Sequence, residues 1–535
     1  MHLLHYDSLA ERHLGRALRD QARARGDAPF LLFDTEQYSY ADANQRVNAL
    51  AAGLARRGLG PGQRVAFYMD SAPEVIFLAL AANKLGAVWV PINSDYKGEW
   101  LSDSLARSRP SLLVTDARHA PRIAEVRPVL GALPIACLGA QQALAGCEAL
   151  DQLFENGAPE PDLKAFTGGD TCAVLWTSGT TGRSKGVMQS HNVWFNAVAA
   201  ANRQFGVQEG DVVFSVLPLY NSAAWVTSVF RAMLSGLPLA LDPAFSVSTF
   251  WQRVDFYRAT QGFTLGAMHM FLWNAPRRPD DADHCLRKLM AVPMPAELAG
   301  PFSERFAVEL MPQGLGQSEA FTLINQDGCA APEVPAGSCG TPADSLEARL
   351  VGESGEDVPV GEPGELWVRP REPHVIFNGY FDDPDATAAA YSGDWYRTGD
   401  LARRDERGFY YFCDRKKDAV RYKGRNISTF EVEMAVRGHP AVSDCAAYGV
   451  PSEELDSESE LKLDVILKPG ETVAAASLAR YINDNAPYFF VPRYIEFVAA
   501  LPYTPTNKVQ KFRLRERGIT PATWDARAAG FKAEH

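Results

Sequence analysis

A chain of 535 residues exceeds what one hydrophobic core normally holds, so two or more domains are expected. Its 46% apolar and 22% charged fractions are those of a water-soluble globular protein, and a formal charge of −12 without a basic patch excludes a nucleic-acid partner, whose phosphates demand one. The longest apolar stretch, Val75 to Ile92, is interrupted by Asn83 and Lys84, and no basic segment followed by an apolar run opens the chain. The sequence therefore predicts no transmembrane segment, no secretory signal and a cytoplasmic location. Eight cysteines scattered without C-x-x-C spacing predict reduced thiols, not a zinc site or a disulfide framework.

In chain order, Ser8-Leu9-Ala10-Glu11 has capping-box spacing and predicts a helix running to Gly26, with Ala10, Leu14 and Leu18 on one side. Phe30 to Phe33 reads as a strand. Tyr38 to Asp42 leads into a helix carrying Val47, Leu50 and Leu54, which Gly58-Leu59-Gly60-Pro61-Gly62 stops. Val65 to Met69 is a buried-strand run, Pro73 to Leu85 a helix, and Ala87 to Ile92 another strand. This alternation predicts an α/β fold: a large N-terminal domain of mostly parallel sheets covered on both faces by helices. Past Gly364 the texture changes to alternating strands, at Gly364 to Arg369 and at Phe409 to Phe412. The charged run Asp414-Arg415-Lys416-Lys417-Asp418 marks a domain boundary, giving residues 1–416 as the large domain and 417–535 as a small α+β lid. In the lid, strands are expected at Ala441 to Val450 and Leu461 to Leu467, with a helix from Ala476 to Asn485.

The stretch Val174-Leu175-Trp176-Thr177-Ser178-Gly179-Thr180-Thr181-Gly182-Arg183-Ser184-Lys185-Gly186 turns from a short apolar run into hydroxyls, glycines and a lysine. Glycines let the backbone approach an anion, successive N–H groups and hydroxyls donate to it, and Lys185 adds a mobile positive charge, so the pattern predicts a loop for a polyphosphate. The spacing Gly179-x-x-Gly182-x-x-Lys185-Gly186 is not G-x-x-x-x-G-K-[ST], which argues against ordinary kinases and GTPases; a polar surface turn is the plain alternative. The order of residues resembles the phosphate-loop signature of adenylate-forming enzymes, the superfamily of acyl-CoA synthetases, luciferases and peptide-synthetase adenylation domains. Ser184 departs from the usual proline.

That resemblance extends over most of the chain, from Ala10 to Leu514, and is nearest in feel to the carnitine and crotonobetaine type of CoA ligase, especially from Phe245 to Arg258 and Asp414 to Pro440. It implies a role for each matching residue. Thr177, Ser178, Gly179, Thr180, Thr181, Gly182 and Lys185 would hold the phosphates of ATP. Gln313-Gly314-Leu315-Gly316-Gln317-Ser318-Glu319 resembles the Tyr-Gly-x-Thr-Glu motif, with Leu315 where tyrosine stacks on adenine and Glu319 as the Mg²⁺ carboxylate. The usual Gly-Gly-Ala-Pro adenine segment is changed to Met290-Ala291-Val292-Pro293. Trp395 to Asp400 matches the motif whose aspartate binds ribose, Arg415 matches the arginine at ribose and phosphate, and Lys417 takes the hinge position. Arg421, Lys423 and Gly424 resemble the loop that approaches coenzyme A, with Arg425 as a further charge for its phosphates. Leu501 to Lys511 resembles the catalytic-lysine signature, with Asn507 in place of glycine and Lys508 as the residue bridging carboxylate and α-phosphate. Pro218 to Ala223 aligns with an acyl-pocket segment that commonly carries histidine at the position of Asn221; Tyr220, Asn221, Trp225, Met268 and His269 are its candidate lining, or simply core.

The sequence thus predicts an AMP-forming acid–thiol ligase using ATP, Mg²⁺ and coenzyme A on a small-molecule carboxylic acid. Lys508, Glu319 and Lys185 carry the chemistry. Transfer to a carrier-protein thiol, adenylation alone, and a degenerate nucleotide-binding module stay open as alternatives. The acid is not identified, and the oligomeric state is open, a homodimer included.

Overall fold

Short β-branched and apolar runs separated by amphipathic helices fold here into two sheets with helices between and outside them. The computed structural model describes the chain apart from residues 140–144, 178–183, 266–267, 327–333, 336, 417, 419, 423–424, 453–458, 504–507 and 534–535. One compact unit comprises Met1–Thr177, Lys185–Glu347 and Pro370–Ala389, and the other is built chiefly from Ala348–Arg369 and Ala390–His535.

In the first unit one seven-stranded sheet runs in the order Glu148–Ala149, Ile135–Leu138, Leu112–Asp116, Arg64–Tyr68, Val88–Pro91, Thr171–Trp176, Gly186–Ser190. Its pairs are parallel up to the last, where Gly186–Ser190 adds antiparallel to Thr171–Trp176. The second sheet runs Glu309–Leu310, Lys288–Val292, Gln261–Leu265, Val213–Ser215, Leu239–Leu241, Pro29–Phe33, Glu36–Ser39, and only its last pair is antiparallel. Side chains alternate between faces along each strand. Val65 and Phe67 therefore join the core shared with the second sheet, while Ala66 and Tyr68 face the helices Gly98–Ser108 and Ala120–Leu130. Leu239 and Leu241 likewise enter the shared core, and Ala240 packs with the helices Phe250–Phe256 and Ala296–Phe306. Between the sheets lies Pro73–Lys84, buried at every residue but Glu74, which is why its sequence is apolar all round.

The Lys84 charge ends inside this layer. The Lys84 ammonium donates to Asn44 Oδ1 at 2.6 Å and Asn48 Oδ1 at 2.7 Å and pairs with Glu160, whose other oxygen accepts from both asparagine amides. Burial pulls the Lys84 pKa down to about 8 against the opposing pull of Glu160. Leaving such a charge without partners would be far costlier than the network that surrounds it.

The second unit holds an antiparallel sheet in which Trp395–Arg404 is flanked by Gly364–Pro370 and Tyr410–Arg415. A four-stranded sheet follows in the order Val442–Pro451, Ser459–Leu467, Tyr494–Phe497, Trp524–Asp525, with its central pair parallel. The helices Thr429–Arg437 and Ala475–Asn485 cover it, burying Val432, Val436, Leu478 and Ile482 against Cys445, Ala447, Leu463 and Val465. The α/β class with a smaller α+β unit is as the sequence predicts.

The start of the first helix is not. Ser8 Oγ donates to the Glu11 carboxylate at 3.0 Å instead of accepting a backbone N–H, and the helix is Leu14–Arg25, capped by His13 Nδ1 accepting from Arg16 N at 3.3 Å. A capping box other than the one expected is present at the next helix, where Ser39 and Asp42 reciprocate at the head of Tyr40–Arg56. His13 lies against His191, ring centroids 4.0 Å apart, and His191 Nδ1 accepts from Leu14 N at 3.3 Å. Both imidazoles accept at Nδ1 and so are neutral. Burial holds His13 at a pKa of about 3, and burial followed by His13 holds His191 well below its usual range.

A histidine lowered on folding leaves stability full above its unfolded pKa of 6.5 and drains it as pH falls below that value, because only the unfolded chain takes up the proton. The expected slope is up to about 1.4 kcal/mol per pH unit for each imidazole. Urea midpoints from pH 7.5 to about 5, above carboxylate titration, should fall less steeply for His191→Asn than for the wild type; parallel curves would contradict the assignment.

Candidate active site

The strand Thr171–Trp176 and its antiparallel partner Gly186–Ser190 hold the two ends of the glycine-rich loop. Thr177 N donates to Lys185 O at 2.9 Å, and Lys185 N donates to Thr177 Oγ1 at 3.1 Å, so the expected phosphate-binding residues at both ends are locked together. Ser178, Gly179, Thr180, Thr181 and Gly182 lie outside the described residues.

A second segment runs along the far side of Gly186–Ser190. Met188 O accepts from Asn378 N at 2.8 Å, Gly186 O accepts from Phe381 N at 2.7 Å, and Val187 bridges to Tyr380. Gly379, at φ 108°, makes the turn that lets Tyr380 N donate to Thr387 Oγ1 at 2.8 Å. Tyr380 is thereby placed under Lys185, whose Nζ stands 4.4 Å from the ring centroid.

Glu319 arrives from another direction. Leu315–Gln317 and Ala320–Asn325 pair antiparallel, with Gln317 opposite Ala320, so Ser318 and Glu319 form the turn. The turn is clamped when Ser318 O accepts from Gln189 Nε2 and Glu319 O accepts from Phe377 N at 2.8 Å. The buried Glu319 carboxylate then accepts from the Tyr380 hydroxyl at 2.8 Å. Lys185 and Glu319 thus meet the face and the hydroxyl of one phenol, and neither forms an ion pair among the described residues. A single carboxylate kept out of salt bridges, with one oxygen hydrogen-bonded, suits a hard divalent cation that takes one or two carboxylates and otherwise oxygen from phosphate and water.

The second unit supplies its own constellation. Asp400, fully buried, stands opposite Arg415 in the strand register, with Arg415 Nε 2.9 Å from Asp400 Oδ1. Gly399 at φ 71° and Thr398, whose Oγ1 accepts from Asp400 N at 3.1 Å and donates to Leu366 O at 2.7 Å, fix the approach. Lys508 is exposed; Gln510 N donates to Pro502 O at 2.7 Å and Tyr503 bridges to Val509, which closes the segment that carries it. Three residues on, Lys511 anchors the segment to Thr429 Oγ1 at 2.7 Å and Glu433 at 2.8 Å. Arg421 lies on the strand Val420–Tyr422, paired with Arg425–Ile427, while Lys417, Lys423 and Gly424 lie outside the described residues.

On the expected acyl side, the Tyr220 hydroxyl donates to Asp95 at 3.4 Å, and burial first, then Asp95, pushes its pKa up. Asn221 Oδ1 accepts from Ala223 N at 3.0 Å and caps the short helix Ser222–Ala224. Trp225 is fully buried, its Nε1 donating to Leu219 O at 2.7 Å and its ring 4.3 Å from that of Trp89, while Met268 is partly buried against the same core.

The family model for AMP-binding enzymes matches residues 18–381, and that for the AMP-binding enzyme C-terminal domain matches residues 431–508. The chain belongs to the AMP-binding enzyme family. Among curated relatives, a crotonobetaine/carnitine–CoA ligase of Salmonella arizonae is 31% identical over 522 residues, 95% of this chain and 100% of that protein. The crystal structure of the anthranilate CoA ligase AuaEII in complex with anthranoyl-AMP superposes with TM-score 0.85 at 23% identity, over 98% of this chain and 99% of that one. A benzoate CoA ligase from Burkholderia xenovorans LB400 superposes with TM-score 0.83 at 23% identity, over 94% and 99%. This AMP-binding enzyme falls in the acid–CoA ligase branch of its family.

The roles of three residues in this family member, Gln313, His269 and Tyr380, emerge only from the fold. Gln313 stands at the head of the Gln313–Glu319 segment; its amide spans Met294, accepting from Met294 N at 2.8 Å and donating to Met294 O at 2.9 Å. Beside it, His269 Nε2 donates to Pro293 O at 2.8 Å, which leaves Nδ1 to accept from Thr264 Oγ1 at 3.4 Å, and burial lowers its pKa, so it is a neutral strut under the altered Met290–Pro293 segment. Tyr380 carries no sequence signal at all, being one aromatic among many.

The turn that carries Glu319 admits no side chain at Gly316, where a Cβ would stand 2.1 Å from Phe321 O. Gly316→Ala should destabilise the first unit by about 2 kcal/mol or more and lower pyrophosphate release with it. Thermal unfolding and a pyrophosphate assay on the same preparation check both; a wild-type midpoint would refute the steric reading.

Proposed function

We propose that the enzyme activates a carboxylic acid with ATP to acyl-AMP and passes the acyl group to coenzyme A, and that the residues above carry the steps. The convergence of Lys185 and Glu319 on Tyr380 supports this reading: it concentrates a positive and a negative group, neither ion-paired among the described residues, at the base of the glycine-rich loop. A carboxylate has too poor a leaving group to react with a thiol. In the first step its oxygen attacks the α-phosphorus, the bond to the bridging oxygen breaks and pyrophosphate leaves. In the second, the thiol loses its proton, its sulfur attacks the acyl carbon, and AMP departs.

Thr177, Lys185 and the loop Ser178 to Gly182 hold the phosphates, and Lys185 and Lys508 neutralise charge as it builds on the transferring centre. Glu319 would hold Mg²⁺, which when bound would supply positive charge to the phosphate oxygens. Gly314, Leu315, Gly316, Gln317 and Ser318 face the nucleotide, with Leu315 as an apolar contact for adenine. Asp400 takes the ribose hydroxyls, with Arg415 beside it at 2.9 Å. Residues 417–535 act as a lid hinged at Lys417, which presents Lys508 for adenylation and Arg421, Lys423 and Gly424 for the thiol arm of coenzyme A.

For the acid, crotonobetaine and carnitine in the relatives' name pair a carboxylate with a trimethylammonium group. Asp95, exposed and hydrogen-bonded to Tyr220, is a negative charge on the acyl side that such a cation would find; Asn221 and Met268 complete the lining, with Trp225 as backing. The acid class proposed is a short zwitterionic carboxylic acid, activated in the cytoplasm.

Pyrophosphate release over a panel of acids, with free coenzyme A and mass spectrometry of the thioester, tests activity, acid and thiol together. Crotonobetaine-like acids should outrun benzoate and acetate, and Asp95→Asn should raise KM about tenfold for the cationic acids alone, a difference of about 1.4 kcal/mol. No release with any acid would overturn the reading. Lys508→Ala should abolish acyl-AMP formation yet spare thioester formation from supplied acyl-AMP; equal loss of both half-reactions would remove the lysine from its proposed step.

A further inference from the structure

The proposed site contains opposite charges that must both stay available. Lys185 is to meet phosphate and Glu319 is to meet a divalent cation, yet in a partly dry site an ammonium and a carboxylate attract each other strongly, and a direct pair would occupy both. Tyr380 stands between them. Its ring face takes the ammonium at 4.4 Å and its hydroxyl donates to Glu319 Oε1 at 2.8 Å. Among the described residues, the Tyr380 backbone is held by the bridge to Val187 and by the bond from Tyr380 N to Thr387 Oγ1, and its ring makes an edge contact with Phe377 at 5.0 Å between ring centroids.

We infer that Tyr380 is a positioning residue that keeps the phosphate lysine and the metal carboxylate apart and aims each at its ligand. The inference rests on the roles proposed above for Lys185 and Glu319. The two ends of the side chain have separable duties. The hydroxyl engages one carboxylate oxygen and leaves the other to face the cation, while the ring gives the ammonium a resting place with no anion in it. Tyr380 touches neither the reacting carboxyl nor phosphorus in this scheme, so its effect is on binding of the metal–nucleotide pair.

Two variants divide these duties. Tyr380→Phe keeps the ring and removes the hydroxyl; the Mg²⁺ concentration for half-maximal adenylation should rise about fivefold or more, while KM for ATP at saturating Mg²⁺ stays within about twofold, because losing one hydrogen bond to a charged group is worth that much and the ammonium keeps its seat. Tyr380→Leu removes both, so Lys185 closes on Glu319, and the Mg²⁺ requirement and KM for ATP should rise together. In the double variant Tyr380→Leu with Lys185→Met, the closing charge is gone and the Mg²⁺ requirement should return toward that of Tyr380→Phe. Calorimetric titration of a non-hydrolysable α,β-methylene ATP at varied Mg²⁺ reads the same order of affinities without turnover, and circular dichroism confirms folding.

An unchanged Mg²⁺ midpoint in Tyr380→Phe, or equal loss of both parameters in Phe and Leu, overturns the inference, as does a double variant no better than Tyr380→Leu. A wild type that binds the analogue but releases no pyrophosphate with any acid overturns the ligase reading instead, and the titration still decides the role of Tyr380.

Discussion

The glycine-rich stretch that carries the proposed phosphate site depends on what holds its two ends, Thr177 and Lys185. Here the constraint is the antiparallel pair Thr171–Trp176 with Gly186–Ser190, added at the edge of an otherwise parallel sheet. A parallel partner would need a crossover of a dozen residues or so, whereas an antiparallel one returns at once and brings Thr177 and Lys185 within two hydrogen bonds of each other. The edge strand so created exposes a second row of backbone groups. Residues Asn378 to Phe381 take that row, and this is what delivers Tyr380 to Lys185.

The protein treats charge differently inside its scaffold and at its site. Lys84 is enclosed by two asparagines and Glu160, and Lys462, equally buried, donates to Glu496 at 2.6 Å and Gly518 O at 2.7 Å. These pairs are closed, each cation matched by its own acceptors. Lys185 and Glu319 are arranged the opposite way, each given a weak or partial partner on the same tyrosine. A closed pair would be the more stable arrangement in the empty protein, and an open one is useful only if a ligand supplies the missing charges.

Much of this could be read from the chain because it follows local rules. The buried strands, the apolar helix Pro73–Lys84 and the glycine-rich stretch all show in periods of two or 3.6 or in turn chemistry. Ser8 shows the limit of such rules, since its spacing to Glu11 is right but the hydroxyl chose the side chain over the backbone. The pairing of Asp400 with Arg415 depends on strand register, which no fifteen-residue window reveals, although both residues stood out singly. Tyr380 depends on the meeting of three segments far apart in sequence, around residues 185, 319 and 380, and only folding brings them together. Asp95 and Gln313 were hidden for the same reason: each matters through a partner more than a dozen residues away.

The same logic bears on the two departures from the family pattern. In the site proposed for the nucleotide, Leu315 and the Met290–Pro293 segment stand where the family pattern has aromatic and small residues, and among the described residues the backbone around them is braced by hydrogen bonds. Gln313 binds both backbone groups of Met294, and its own carbonyl accepts from Gln326 at 3.1 Å. His269, neutral and buried, holds Pro293 from below. Gly314 and Gly316 let the strand beneath Leu315 lie so close to its neighbour that a Cβ would collide with Ile324 O or Phe321 O. In the site proposed for the nucleotide, a backbone braced in this way would favour a flat purine by shape, with dispersion and exclusion of water as the attractive terms. Loss of the stacking ring therefore does not require loss of the nucleotide, provided the backbone around Met294 and Leu315 stays fixed.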